Sequence, residues 1–436
     1  MSERRFQILC TGDLHLGRYP SRVPARERAL SIEQVWQDLV TYAVQQDVDV
    51  VALTGDVVDN ENATYESLGP LQRGLGRLDE SDIATIAVSG NHDYNALPRL
   101  DQMVEASRFH LLGRGAQWDD AVIEPEDATP VQFLGWSFRN AHEPSDPLED
   151  LPGEMIEGDI PTVGLLHAEV GVPESVYAPV SLDRLREHPV AAWLLGHIHK
   201  QQVWEDTSPP VLYPGSPQPL DPGETGAHGP CLVEVDSDGK AQTYSLPRAT
   251  LRYDLVEVSV EEEETKEGVD ETITGAVRDR LQEALQEQPE LQRLVCRLRL
   301  TGRTPLHREI GDVAAEVADG LELPVDEAIA TVEKTEVRTR PDLDLERIAE
   351  GSDPPAVLAR LLLDIEKEEE SDLARDAREE IETVRDRVMR SPPYEPLRKN
   401  GVEATEGENV EETVRRQGLL LLDELLGQTD DTANDG

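Results

Sequence analysis

Five short apolar segments of this chain each end in aspartate, asparagine or histidine residues. The polar residues that follow these segments are Asp13, His15, Asp56, Asp59, Asn91, His92, His167, His197 and His199. Short apolar segments that run directly into turn residues are typical of buried strands. An open α/β sheet places its ligand chemistry at the carboxyl ends of such strands. We therefore expect these side chains to meet at one edge of a sheet, although they span about 190 residues of sequence.

The first half of the chain alternates between strand-like and helix-like segments. Residues 6–11 and 48–53 predict strands, and residues 31–46 between them keep the spacing of an amphipathic helix. Such alternation predicts a parallel or mixed sheet with right-handed crossovers. From residue 131 onward the apolar segments read as antiparallel strands. The predicted fold class is α/β, with a two-layer β-sandwich flanked by helices.

The sequence predicts an α/β domain at residues 1–248, followed by three further regions. They are a small α+β module at 249–338, an acidic helical region at 339–427 and a disordered tail at 428–436. The helical region carries a leucine-rich cluster at residues 419–426. Such a stripe either packs within the chain or docks a partner, and the sequence leaves both open.

Acidic residues dominate the charge of the whole chain. The formal net charge is −48, from 89 Asp and Glu residues against 41 Lys and Arg residues. A carboxylate-rich surface suits a high-salt cytoplasm, where charges are screened to roughly 3 Å at 1 M salt. An acidic partner-binding surface is the other interpretation, and the even spread of the charge favours the first. A bulk acidic surface argues against nucleic-acid binding, although high salt weakens that argument.

The N-terminus and the cysteines indicate where the protein works. Residues 1–5 lead directly into a predicted strand without signal-peptide architecture. No apolar run is long enough to span a membrane. Cys10, Cys231 and Cys296 are too scattered for a disulfide framework or a thiolate metal site. We therefore expect a cytoplasmic protein without a membrane segment.

The polar residues at the strand ends have the chemistry of metal ligands. They offer carboxylates, imidazoles and one amide but no thiolate, which favours Mn, Fe, Zn or Mg. Two cations about 3.5–4 Å apart would need a bridging ligand, and the Asp56 carboxylate is the natural candidate. Asp13 and His15 lie two residues apart, on one side of an extended segment, as do His197 and His199. Any one pair could occur by chance, but the full set predicts a metal centre.

The same residues carry a family resemblance. Residues 13–15, 55–59, 90–93, His167 and residues 196–199 resemble the five motifs of the calcineurin-like metallophosphoesterases. Within that superfamily the chain resembles the SbcD-type DNA repair exonucleases and the related YhaO-type proteins. The supporting segments are residues 166–171, 177–179, 195–200, 213–216 and 223–226. The resemblance implies a calcineurin-like phosphoesterase fold, followed by a capping domain in the place of the α+β module.

The resemblance also implies a metal centre with two divalent ions, with Mn²⁺ as the expected metal. One ion would be held by Asp13, His15, Asp56 and His199, and the other by Asp56, Asn91, His167 and His197. The implied activity is that of a DNA exonuclease or endonuclease in double-strand-break repair, in which a metal-bridging water attacks phosphorus. His92 would protonate the leaving alkoxide. Asp59 could orient His92, although some nuclease relatives carry histidine at this position.

Partners follow from the same resemblance. Arg18, Arg22 and Arg26 lie in an arginine-rich loop that could contact a nucleic-acid backbone, or could be a solvated loop in an acidic protein. The helices after residue 339 would dock an SbcC-type coiled-coil ABC ATPase. The implied assembly is a homodimer that binds DNA.

Two other functions remain open at this point. The metal centre could serve a phosphodiesterase or phosphatase that acts on small nucleotides or phosphoproteins. It could also be a structural site in a regulatory subunit. The long C-terminal half argues against the first alternative, and the intact ligand set with His92 argues against the second.

Overall fold

The structure is a computed structural model, and it describes most of the chain. The described residues are 4–24, 27–59, 65–156, 158, 160–204, 209–261, 263–367, 371–389, 415 and 417–426. The tail predicted to be disordered, residues 428–436, lies outside them. The chain divides into two compact units. The first comprises Met1–Leu255, Val277–Arg297 and Leu321–Glu333, and the second comprises Val256–Ala276, Leu298–Gly320 and Lys334–Gly436.

Fourteen strands precede residue 250 in the described part of the chain. They are β1 Phe6–Thr11, β2 Val50–Leu53, β3 Ala84–Ala87, β4 Phe109–Leu111, β5 Trp118–Ile123, β6 Val131–Trp136, β7 Thr162–His167, β8 Glu169–Val170, β9 Pro179–Val180, β10 Ala192–Gly196, β11 Gln202–Trp204, β12 Val211–Tyr213, β13 Cys231–Val235 and β14 Ala241–Ser245. The helices of this part are α1 Ile32–Gln46, α2 Tyr65–Glu80, α3 Ala96–Asp101 and α4 Leu182–Glu187. The predicted strand–helix alternation is therefore present.

The first sheet has six strands in the order β14-β13-β1-β2-β3-β4. Strands β1 to β4 pair in parallel, whereas β13 is antiparallel to β1. Helix α1 begins after Ser31, whose side chain accepts a hydrogen bond from the Gln34 backbone N–H and caps the helix. The parallel pairing brings the carboxyl ends of β1, β2 and β3 to one edge of the sheet.

The second sheet also has six strands, in the order β11-β12-β10-β7-β6-β5. The expectation of antiparallel strands after residue 131 is wrong for the middle of this sheet. There β6, β7, β10 and β12 pair in parallel, and the antiparallel pairs involve only the edge strands β5 and β11. The physical reason is burial: β7 and β10 are covered on both faces and are apolar throughout, which is typical of parallel strands.

The two sheets pack face to face. Alternate residues of β1, such as Phe6 and Ile8, meet Phe133 and Leu165 of the second sheet in one apolar core. On the far side of the first sheet a second core contains the apolar face of α1, and a third core covers the far side of the second sheet. The predicted α/β class, a two-layer sandwich flanked by helices, is confirmed.

Later elements continue with β15 Leu251–Ser259, α5 Lys266–Glu287, β16 Arg293–Thr301, β17 Arg303–Thr304, α6 Ile310–Gly320, β18 Glu322–Val325, β19 Ala328–Val337 and β20 Arg340–Pro341. The sheet order is β15-β16-β19-β18. Sequence patterns predicted β15, α5, β16 and α6 but not the β18–β19 hairpin. The domain boundaries given above stay predictions.

The C-terminal part of the second unit is helical. Its helices are α7 Leu345–Ala349, α8 Pro354–Glu366, α9 Asp372–Met389 and residues 417–426. Leu419 and Leu422 are buried against Leu362 of α8. Part of the leucine-rich cluster therefore packs within the chain.

None of the described helices is both long enough and apolar enough to cross a bilayer.

Candidate metal centre

Backbone hydrogen bonds fasten the segments after β1 and β2 to each other. The Asp13 N–H donates to the Gly55 carbonyl at 3.0 Å, and the His15 N–H donates to the Asp56 carbonyl at 2.9 Å. Because β1 and β2 are parallel neighbours, these bonds continue their pairing beyond the strands. Asp13, His15 and Asp56 therefore share one edge, as predicted from the sequence.

Four of the predicted ligands have a left-handed backbone. The φ angles are 50° at Asp13, 51° at His15, 49° at Asp56 and 100° at His197. A residue with a side chain adopts this region at a cost of about 1–3 kcal/mol, and such residues cluster at functional sites. The sharp turns aim their side chains into the site and away from the strand direction.

Two glycines allow the surrounding backbone to approach closely. A Cβ atom at Gly90 would lie 2.3 Å from the Asp56 Oδ1 atom, and one at Gly196 would lie 2.0 Å from the Thr54 carbonyl oxygen. Any larger residue at either position would push the site apart. These glycines are required by packing around the polar cluster.

The structure brings most of the predicted ligands into compact groups. Within each of three groups, the donor atoms lie within 4.8 Å of one another. The groups are Asp13, His15 and His199; His15, Asp56 and His92; and Asp13, Asp56 and His167. They share members, so they form one continuous cluster.

His167 lies at the buried end of this cluster. Its Nε2 atom is 3.1 Å from the Asn91 Oδ1 atom and 3.3 Å from the Asp56 Oδ2 atom. Its Nδ1 atom is 3.0 Å from the Thr54 carbonyl oxygen, which can only accept a hydrogen bond. The Nδ1–H therefore donates to Thr54, and Nε2 faces the carboxylate and the amide.

His197 lies beside this end of the cluster but outside the three compact groups. Its ring centroid is 5.3 Å from that of His167, and its backbone N–H donates to the Asp13 carboxylate at 3.1 Å. The structure thus places His197 next to the other predicted ligands while leaving its ring at the margin.

His15 and His199 form the other end. Their Nε2 atoms are 3.1 Å apart, so at most one of them can carry a proton. The buried Nδ1 atom of His15 has no hydrogen-bond partner among the described residues. We call Asp13, His15, Asp56 and His199 the His199 half-site, and Asp56, Asn91, His167 and His197 the His167 half-site.

These contacts fit cation binding. The Asp13 and Asp56 carboxylates are buried, and a buried charge needs a partner or a metal ion. Two imidazole nitrogens that face each other at 3.1 Å would both be satisfied by one cation between them. The residues of both half-sites are therefore suitable to hold divalent ions.

The titration of the cluster reflects its buried charges. Burial alone would raise the pKa of Asp56, but the charge and hydrogen bond of His167 hold that pKa below its usual range. Burial would lower the pKa of His167, but Asp56 outweighs it and raises the pKa to about 9. Burial lowers the pKa of His15 to about 3 and raises that of Asp13 to about 6. In the metal-free molecule the Asp56 carboxylate therefore favours the protonated form of His167.

His92 and Asp59 lie together at the open side. The His92 Nδ1 atom is 3.1 Å from the Asp59 Oδ1 atom, and the His92 backbone N–H donates to Asp56 Oδ1 at 2.7 Å. The His92 side chain is 42% exposed, whereas that of Asp59 is 7% exposed. This arrangement leaves His92 Nε2 available to face a ligand. A ring nitrogen of His92 also lies within 4.8 Å of a possible metal-binding atom of His15 and of Asp56.

The arginine-rich loop has partners of its own. Arg18 lies 3.4 Å from the Asp221 carboxylate, and Arg22 lies 3.6 Å from that of Glu333. Arg26 lies outside the described residues. Both described arginines therefore form ion pairs within the chain.

Sequence reasoning missed three groups that support the site. Glu224, which the sequence singled out only as part of the segment 223–226, lies 2.9 Å from His199 Nδ1. Asp93 is fully buried and accepts hydrogen bonds at 2.7 Å from the backbone N–H groups of Gly90 and Val57. The third is the Thr54 carbonyl. The pattern Gly-Asn-His-Asp could have indicated Asp93, but nothing in the sequence pairs Glu224 with His199.

A cluster of buried carboxylates and imidazoles at strand ends is the kind of site that metal-dependent hydrolases use. Comparison with known families makes the class specific. Residues 6–201 match the calcineurin-like phosphoesterase family, and residues 253–340 match the middle domain of metallophosphoesterase YhaO. The chain therefore contains a calcineurin-like metallophosphoesterase domain followed by a YhaO-type middle domain, and the resemblance to this superfamily is confirmed for these two domains.

Individual relatives agree with this classification. The uncharacterized metallophosphoesterase YhaO of Bacillus subtilis is 27% identical over 234 residues, which is 51% of this chain and 56% of YhaO. The DNA double-strand break repair protein Mre11 of Methanosarcina acetivorans is 38% identical over 115 residues, 26% of this chain and 18% of Mre11. The match to Mre11 of Haloferax volcanii is 26% identical over 241 residues and covers 53% of this chain and 50% of that protein. The chain therefore spans about half or less of the length of these relatives.

Proposed function

We propose that this chain is a DNA phosphodiesterase, an exonuclease or endonuclease of double-strand-break repair, that depends on two divalent metal ions. The observation that supports hydrolysis is the cluster of Asp13, His15, Asp56, His167 and His199. The sequence predicted that these residues meet at the edge of one sheet, but they follow strands of both sheets. The DNA part is supported by the partial similarity to archaeal proteins named for DNA double-strand break repair. Mn²⁺ is the metal we propose.

Each half-site would hold one cation, with the Asp56 carboxylate between the two. When bound, the cations would supply an activated water and neutralise charge on the phosphoryl oxygens. His167 orients its Nε2 toward Asp56 because its Nδ1–H is held by Thr54. Once a cation displaces the Nε2 proton, the Nδ1–H stays on Thr54 and the Nε2 lone pair is available to the cation.

His92 is the proposed general acid. Its Nδ1–H is directed at the Asp59 carboxylate, so its Nε2–H would be the proton given to the leaving oxygen. The hydrogen bond from the His92 backbone to Asp56 fixes the distance between the acid and the metal centre. Proton donation of this kind contributes about 10²- to 10⁴-fold to a rate.

The partners are also part of the proposal. An SbcC-type ATPase would dock on the C-terminal helices, where Val357 is 42% exposed and Leu421 is 49% exposed. A homodimer and a cytoplasmic location complete the proposed setting.

The net charge of −48 favours a second candidate, hydrolysis of small phosphoesters, because a polyanionic surface repels DNA. The test compares end-labelled linear DNA with p-nitrophenyl esters and cyclic nucleotides in molar KCl with Mn²⁺, with His92→Ala as control. Degradation of DNA by the wild type and not by the variant supports the proposal. Hydrolysis of small esters alone would replace it with the second candidate, and inertness of both proteins would leave a structural metal site.

A further inference from the structure

His199 makes a hydrogen bond that the proposed reaction does not require. Its Nδ1 atom lies 2.9 Å from the Glu224 Oε1 atom, and the two side chains are 26% and 18% exposed. A carboxylate at this place fixes the proton on Nδ1, because the negative oxygen accepts the N–H strongly. The Nε2 lone pair of His199 is then directed at His15, where the donor atoms converge.

Glu224 is itself held at its second oxygen. Its Oε2 atom accepts the Leu220 backbone N–H at 2.9 Å and lies 3.4 Å from the Ser216 hydroxyl. Ser216 is in turn 3.2 Å from the Nδ1 atom of the buried His228. Because both of its oxygens are engaged, the Glu224 carboxylate cannot rotate without losing a contact.

The loop that carries Glu224 is anchored on both sides. The Glu224 N–H donates to the Asp221 carbonyl at 2.9 Å, and the Gly226 N–H donates to the Tyr253 carbonyl at 3.0 Å. Gly226 has a φ of 98°, a conformation that suits glycine. The side chain of Glu224 therefore projects toward His199 from a fixed backbone.

The imidazoles of the cluster differ in what orients them. His167 is held by the backbone carbonyl of Thr54, and His15 has no partner for its Nδ1 among the described residues. Of these three rings, His199 alone has its Nδ1 atom bonded to a charged side chain. A substitution can remove that side chain, whereas no substitution removes the Thr54 carbonyl.

We propose that Glu224 is a positioning residue that holds His199 as a metal ligand and so sets the cation affinity of the His199 half-site. This inference rests on the proposed two-cation centre. Partners of metal-bound histidines raise the basicity of the ligand and fix its tautomer, and losing one typically costs about 10- to 100-fold in metal affinity. Glu224 touches neither substrate nor reacting atoms in this account.

Cation binding tests the inference without any measurement of activity. The metal-free full chain in molar KCl is titrated with Mn²⁺, and free Mn²⁺ is followed by its electron paramagnetic resonance signal. Glu224→Gln keeps the size of the side chain but removes its charge. The matched control is Glu234→Gln, since the Glu234 side chain is also 18% exposed and bonded to Arg5 and Gln7.

The inference predicts that E224Q weakens one of two Mn²⁺ sites by about 10-fold or more and leaves the other within about 2-fold. E234Q should bind Mn²⁺ like the wild type. Wild-type binding in E224Q, or an equal loss at both sites, would overturn the assignment, because a loosened loop would not single out one site. If E224Q does not fold, E224D replaces it, and unchanged affinity in that shortened variant also overturns the assignment.

The same titration separates the two proposals. A wild-type chain that binds no Mn²⁺, or only one ion, contradicts the two-cation centre itself. A wild-type chain that binds two ions, with E224Q behaving identically, contradicts the role of Glu224 alone.

Discussion

The two half-sites share Asp56 but are built differently. In the His167 half-site the ring of His167 is fully buried, packs edge-on against Phe138 with the ring centroids 5.6 Å apart, and is oriented by the Thr54 carbonyl. In the His199 half-site the ring of His199 is partly exposed and is oriented by the Glu224 side chain. The His167 ring is therefore oriented by the backbone, and the His199 ring by a single replaceable side chain. The cation affinity of the His199 half-site should therefore change more when neighbouring side chains are substituted.

The shared residue gives the largest expected effect. Asp56→Asn should break both half-sites, so Mn²⁺ binding should fall from two ions to at most one. Phosphodiester hydrolysis should fall by more than about 10³-fold, since even one lost electrostatic contact to a transition state costs about 10²- to 10³-fold. Calorimetric titration and a hydrolysis assay measure the two losses. Two tightly bound ions in D56N would show that the half-sites do not depend on a common carboxylate.

A smaller loss of hydrolysis is expected when His92, the proposed general acid, is replaced. His92→Ala should reduce hydrolysis by about 10²- to 10⁴-fold while both cations still bind. Asp59→Asn should act in the same direction but more weakly, because it only misorients the imidazole. Steady-state rates and Mn²⁺ stoichiometry distinguish the roles. Loss of a cation in H92A would make His92 a ligand, which its position near His15 and Asp56 allows geometrically.

The affinity for cations should depend on pH. A cation needs neutral His167, whose pKa is raised to about 9 in the metal-free protein by Asp56. Below pH 9 each binding event at the His167 half-site must therefore release a proton, and the affinity rises with pH until it levels off above about 9. Titration calorimetry in two buffers of different ionisation enthalpy counts the protons. An affinity that is constant between pH 7 and pH 9 would contradict the raised pKa.

The smallest effect should come from the arginine-rich loop. Arg18 pairs with Asp221, which lies in the Glu224 loop, but the pair is exposed and contributes at most about 1 kcal/mol. Arg18→Ala should leave Mn²⁺ affinity unchanged and lower the salt dependence of DNA binding by about one unit of slope. Binding at several KCl concentrations gives that slope. An altered Mn²⁺ affinity would contradict this expectation and would show that the Arg18–Asp221 ion pair also affects the His199 half-site.

Much of the site followed from the sequence because strand ends are local signals. The residues after β1, β2 and β3 could be placed at one edge from the parallel pairing alone. The direction of β6 and β7 could not, since a buried apolar segment reads the same in parallel and antiparallel sheets. The β18–β19 hairpin was missed because it mixes charged and apolar residues without strict alternation.

Glu224 shows where sequence reasoning ends. It lies 25 residues after His199, and the hydrogen bond between them depends on how the intervening loop returns to the site. A glutamate between two glycines indicates a turn and not its target. Asp93 was easier to predict from the sequence, since it belongs to the same motif as Asn91. Local patterns thus predicted which residues come together but not the groups that orient them.

The two-cation centre is tested most directly by a crystal of the full chain soaked in Mn²⁺ and measured at the manganese absorption edge. Two bound ions would give two anomalous peaks about 3.5–4 Å apart, with the Asp56 carboxylate between them. One peak should contact His199 and the other His167. A single peak, or peaks away from Asp56, would contradict the two-cation centre.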